Sequence, residues 1–256
     1  MSRFKNLELG GQDHEHRVPS ETRSAQYYVR EAEKSFFEAD FEAALRAYGK
    51  VLEFQPDEPA AWVGQVRMLI ELKDFEQAKS LADRANQHLP NHPEILAARA
   101  VALARERQIE AALAFSDAAV EAGPEAPFVW LARGDVLLAS GNSQYEFCFQ
   151  RAIALSPGSW LTHWLASRIH FVYEKFSLAL KYAQQALALD AAQSPVWLQL
   201  GRCQEALGLS VPAQNSFAQA LELNPNSSAA KLAQTGAGSS SLFHRLTQRW
   251  RRLLRQ

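Results

Sequence analysis

Four stretches of the chain carry residue types that can do chemistry. Asp13, His14, Glu15 and His16 place two imidazoles and two carboxylates in consecutive positions, a set able to hold a metal ion loosely. Their polar, aperiodic setting favours a plain histidine-bearing segment instead. His163 and His170 stand seven positions apart, roughly 10 Å along a helix and too far to share an ion; they are expected as core or groove side chains. Cys148 and Cys203 have neither a CxxC nor a metal-ligand spacing. They read as small buried hydrophobes rather than nucleophiles, and fit a reducing compartment. The fourth stretch, LFHRLTQRWRRLLRQ at residues 242–256, has five arginines and no acid. The chain has no GxGxxG, no P-loop and no HExxH, and no Ser/His/Asp or paired-carboxylate arrangement is legible. No enzyme activity, cofactor or metal is expected.

Composition bounds the elements that must position these residues. Of 256 residues, 47% are hydrophobic and 21% charged, an ordinary globular balance. Alanine is abundant and β-branched residues are sparse, which leans the chain towards helix. The net charge of −1 argues against wholesale nucleic-acid binding. With residues 242–256 set aside, 22 bases face 28 acids, so the remainder is acidic. The start, MSRFKNLELGG, has no apolar h-region, so no secretory signal is expected. No run of apolar residues is long enough to span a bilayer.

An internal repeat organises the rest. Six segments end alike, at Pro56, Pro90, Pro124, Pro157, Ala191 and Pro225, with spacings of 34, 34, 33, 34 and 34. Within each unit a large residue holds the fourth position: Tyr28, Trp62, Leu96, Trp130, His163 and Trp197. Small residues recur near the end, chiefly Ala44, Ala78, Ala112, Ala179 and Ala213, then Val51, Ala85, Ala119, Ala152, Ala186 and Ala220. A knob opposite a gap is what two closely approaching antiparallel helices need. The fourth unit is one residue short and puts Tyr145 where a small residue is expected. The deletion is expected in its turn, around Ser140-Gly141-Asn142-Ser143.

The pattern resembles the tetratricopeptide-repeat family. It is best matched in the sixth unit, through Trp197, Leu200, Gly201, Gly208, Ala213, Phe217, Ala220 and Pro225, and nearly as well in the second, through Trp62, Ala78, Ala85 and Pro90. The resemblance covers about residues 25–226. It implies an all-α, right-handed solenoid of about six helical hairpins: 25–58, 59–92, 93–125, 126–159, 160–193 and 194–226. Residues 227–234 are expected as a capping helix, 1–24 as a disordered segment, 235–241 as a Gly/Ser linker and 242–256 as a short basic amphipathic helix. Trp197 is expected to be largely buried against Ala213 and Phe217.

The resemblance also implies a ligand groove along the first helices of the hairpins. On this sequence it is lined by Val63, Arg67, Ile70, Val101, Leu131, Asp135, Leu138, Trp164, Arg168, Phe171, Leu198 and Arg202. Val29 and Glu33 stand where a Lys/Asn clamp for a peptide carboxylate would need its residues, which disfavours that mode. An apolar groove with scattered arginines suits an amphipathic helix or hydrophobic peptide. Arg168 and Arg202 are expected to face solvent there, so that changing both to Glu weakens partner binding without unfolding. In the 242–256 helix, Leu242, Phe243, Leu246, Trp250, Leu253 and Leu254 share one face, opposite Arg249, Arg251 and Arg252. Such a helix is fit to lie on an anionic membrane or dock on a partner. The resulting expectation is a cytoplasmic scaffold or adaptor, peripheral to a membrane's inner face, that takes a protein or peptide ligand and no nucleic acid. The alternative is a co-chaperone or assembly factor holding an apolar client segment.

Overall fold

The computed structural model describes residues 24–236. The sequence expectations for Asp13–His16 and for 242–256 therefore fall outside the described residues.

Twelve helices form six antiparallel hairpins: α1 (Ala25–Phe37) with α2 (Phe41–Phe54), α3 (Pro59–Glu71) with α4 (Phe75–His88), α5 (Pro93–Arg105) with α6 (Ile109–Ala122), α7 (Pro127–Ser140) with α8 (Tyr145–Leu155), α9 (Trp160–Val172) with α10 (Phe176–Leu189), and α11 (Ser194–Ala206) with α12 (Ser210–Leu223). A thirteenth helical segment, α13, spans 228–236, two residues into the stretch expected as linker. It buries Ala230 against Ala213, Phe217 and Ala220.

Local chemistry sets the boundaries. Ser24, Asp40, Asp74 and Ser159 accept backbone N–H bonds at the starts of α1, α2, α4 and α9. Proline opens α3, α5 and α7, where a missing N–H costs nothing. The first helix of each hairpin ends through a left-handed residue: Ala39, Lys73, Arg107, Gly141, Glu174 and Gly208. The chain turns there into the next helix, with bonds such as Asp40 N–H to the Ser35 carbonyl at 2.9 Å.

The short fourth unit loses its residue just after Gly141, in the turn: Gly141 stands 14 residues after the start of α7, as Ala39 does after that of α1, and the missing position lies between it and Tyr145. The segment 142–144 stays outside the helix, so α8 has 11 residues where α2, α4, α6, α10 and α12 have 14. The second half of α8 keeps its place because Phe149 is locked to Gly134. A Cβ on that glycine would come within 2.7 Å of the Phe149 ring. Gly201 stands in the same relation to Phe217 in the sixth hairpin. These pairs are the knob-and-gap complement of the repeat in its tightest form.

Fourth-position tryptophans share a further device. The indole N–H donates to a carbonyl six residues back: Trp62 to Pro56 at 2.7 Å, Trp130 to Pro124 at 2.7 Å and Trp197 to Ala191 at 2.8 Å. Each thus ties its helix to the end of the preceding hairpin. Trp62 is 5% exposed and stacks on His88. Trp197 is only partly buried, short of the expectation, because no aromatic ring among the described residues covers it as His88 covers Trp62.

The first hairpin meets the fifth and sixth, so the solenoid closes into a ring. Phe36 packs edge-on to Trp164 at 5.4 Å, and Phe37 lies 5.5 Å from Trp160. Phe36, Met68, Trp164, Ala186 and Val196, from five different helices, form one buried cluster. Polar contacts flank it. Asn224 Nδ2 donates to Glu38 Oε1 at 3.4 Å, and Arg168 of α9 pairs with Glu71 of α3 at 2.5 Å.

Candidate binding chamber on the concave face

The helices α3, α5, α7, α9 and α11 line the inside of the ring and enclose a chamber of about 240 Å³. Eight of the twelve groove residues read from the sequence line it: Arg67, Ile70, Val101, Leu131, Asp135, Arg168, Phe171 and Arg202. The other four sit in the walls. Val63, Leu138 and Leu198 are buried in separate clusters of the core. Trp164, 2% exposed, closes the ring, and its indole N–H donates to the Pro195 carbonyl at 3.0 Å.

Arg168 also departs from expectation. Its guanidinium lies 4.9 Å from the Trp164 ring and 5.7 Å from Phe36, besides its bond to Glu71. It is part of the closure rather than a solvent-facing contact, so reversing its charge acts on the fold as well as on binding. Sequence reading missed Glu71, Arg105, Phe128, Leu165, Ile169 and Gln199 as lining residues. Most lie one helical turn from predicted positions, and they face inward because the ring curves tightly.

The electrostatics of the chamber centre on arginine. Arg105 grips Asp135 with Nε at 3.1 Å and Nη2 at 2.6 Å, and the Tyr173 hydroxyl donates to the same carboxylate at 2.6 Å. Burial works against the Arg105 charge, yet Asp135 holds its pKa above the ordinary value. Burial also pushes Glu71 upward, but the Arg168 charge and hydrogen bond outweigh it and leave its pKa below the usual range. Burial lowers the pKa of both Arg67 and Arg202.

Beside the chamber, His170 is fully buried between Phe149 at 4.4 Å and Tyr182 at 5.0 Å. Its Nδ1 bonds the Ala166 carbonyl at 2.8 Å, and Nε2 lies 3.8 Å from Glu146 Oε2. Burial lowers its pKa despite the Ala166 bond and Glu146, with Lys175 adding to the lowering. The folded chain thus binds this proton less readily than the unfolded chain. The associated stability is fully present above about pH 6.5 and is lost as pH falls through the lower folded value. Urea melts near pH 7.5 and 5.5 should show a loss of up to about 1.4 kcal/mol per pH unit from this group. That loss should diminish in His170→Phe; an unchanged pH dependence would assign it elsewhere.

His163 is also buried, with Nδ1 at 3.0 Å from the Ser159 carbonyl. Both cysteines are free and buried, and burial pushes the Cys203 thiol up to about 11. Among the described residues no group of three or more potential ligands could hold a metal, and no helix is long and apolar enough to cross a membrane.

Comparison with known proteins agrees with this architecture. Models of the tetratricopeptide repeat match residues 38–102 and 194–227. A tetratricopeptide repeat protein from Parabacteroides merdae superposes with a TM-score of 0.53 at 16% identity, covering 86% of each chain. A monomeric IFIT1 mutant solved with m7Gppp-AAAA gives 0.50 at 17% identity, over 89% of this chain and 59% of that one. The Cut9 and Hcn1 hetero-tetramer of APC/C gives 0.49 at 15% identity, over 84% of this chain; this chain spans 43% of the length of that one. At these identities the likeness to the first two is one of fold alone. No curated protein matches the chain. The ladder, the hairpins and the family models together make this a tetratricopeptide-repeat protein, an all-α solenoid.

Proposed function

We propose that the chain is a non-catalytic interaction scaffold whose concave face takes up part of a protein partner. The basic amphipathic stretch at 242–256 fixes it to an anionic membrane surface, at the inner face, or to a second partner. The observation carrying this reading is that eight lining residues, contributed by hairpins two to six, converge on one chamber. The Arg168–Glu71 pair crosses the concave side. A helix, about 10–12 Å across with its side chains, cannot lie along the groove while that pair holds. A chain end or one large side chain suits the space better. Four arginines against two carboxylates in the chamber also repel the arginine-rich 242–256 segment, which disfavours docking of that segment in its own ring. The co-chaperone reading draws on the apolar walls at Ile70, Val101, Phe128 and Leu131, but the arginines among them count against a purely apolar client.

The test compares the full chain with one ending at residue 241. A pull-down read by mass spectrometry should recover the same concave-face partner with both. Co-sedimentation with anionic vesicles should fall with rising salt and be lost on truncation. Loss of every partner on truncation would move recognition to the tail, and a full chain that stays in the supernatant at low salt would remove the membrane role.

A further inference from the structure

The chamber holds more positive charge than its own residues neutralise. Arg67, Arg105, Arg168 and Arg202 line it, against Glu71 and Asp135. Arg105 is matched by Asp135 and Arg168 by Glu71. Arg67 and Arg202 make no ion pair with any described residue. Arg67 is instead held between ring faces, 5.1 Å from Phe36 and 5.2 Å from Phe128. Arg168 and Glu71 lie within Coulombic reach of both; Glu94 also acts on Arg67 and Glu205 on Arg202, but neither of those carboxylates lines the chamber. Removing that excess charge from water is costly unless an anion joins it. Around the arginines the wall is apolar: Ile70, Val101, Leu131, Leu165 and Ile169, with the half-exposed Val172 at the rim.

We infer that the chamber is a site for a small organic anion, a carboxylate or phosphate head on a short apolar body, with the head held by Arg67 and Arg202. The inference rests on the concave face being the binding surface and narrows what enters it. Guanidinium forks match the oxygens of either head group in bidentate fashion. The volume of about 240 Å³ lies just below that of pockets for drug-sized ligands, about 300–1,000 Å³, which sets the scale of the body.

Titration calorimetry and thermal shift on the full chain test it with hexanoate, hexyl phosphate, hexanol and hexylamine. At least one of the two anions should bind roughly tenfold or more tightly than hexanol, with hexylamine weakest, and the anions' ranking identifies the head group. Arg202→Gln, chosen because Arg202 holds no ion pair with a described residue, should weaken anion binding about tenfold or more and leave hexanol unchanged. A melting curve checks that the variant is folded, and Arg67→Gln serves as the second variant. Hexanol binding as tightly as the anions would overturn the charge assignment while leaving an apolar concave site. No binding of either anion, or full anion affinity in both folded variants, would overturn the proposal, and the pull-down tests the concave-face reading independently.

Discussion

Trp164→Ala should destabilise the protein by about 3–5 kcal/mol, the range for removing a large buried aromatic. Trp164 touches Phe36 and Phe37 of the first hairpin, bonds the Pro195 carbonyl of the sixth and carries Arg168 over its ring. The substitution therefore removes packing inside the fifth hairpin and the seal between the two ends of the array at once. Urea unfolding should show the loss, and small-angle scattering should show a larger radius of gyration below the transition as the ring parts. An unchanged midpoint together with an unchanged scattering profile would mean that the ends are not held together through this residue.

Arg168→Glu should cost about 3 kcal/mol, because it sets a carboxylate against Glu71 where Arg168 is only 15% exposed and Glu71 33%. Partial exposure of Glu71 places the figure at the lower end of the range for breaking a buried pair. Adding Glu71→Arg should restore more than half of the loss, since the reversed pair can form across the same gap. Absence of any coupling in that double-mutant cycle would show that the two side chains do not act together. Anion binding measured in parallel should weaken in the single variant, which loses one positive charge and gains a negative one in the chamber.

The hairpin ladder was legible because it depends on local chemistry repeated along the chain. Prolines between helices, alanines at close approaches and a large residue at the fourth position each carry their reason in their own type. The first helices of the hairpins accordingly begin at 25, 59, 93, 127, 160 and 194, within one residue of the expected unit starts. Ring closure was not legible. It sums small rotations between successive hairpins, and no single residue encodes that sum. The off-pattern aromatics were its trace. Trp164 takes the fifth position while His163 holds the fourth, and Phe36, Phe37 and Phe41 crowd the first hairpin. Trp164, read as a groove residue, instead makes the seam with Phe36, Phe37 and Phe41. The short fourth unit was legible for the same local reason as the ladder: Ser140-Gly141-Asn142-Ser143 tolerates the loss of a residue, while Phe149 against Gly134 holds α8 in register beyond it.

In an open solenoid each hairpin contacts only its neighbours, and the array can gain or lose units at modest cost. The seam between Phe36 and Trp164 joins positions 128 residues apart and changes that arithmetic. Removing a hairpin from between the first and the fifth would leave the Trp164 surface short of Phe36, and adding one there would carry it past. Duplication or deletion of one repeat, the ordinary route by which such arrays vary in length, would thus open the molecule and dissolve its chamber. The number of hairpins between the two sides of the seam is itself part of the specification, in the way that a ring of bricks fixes how many bricks it holds.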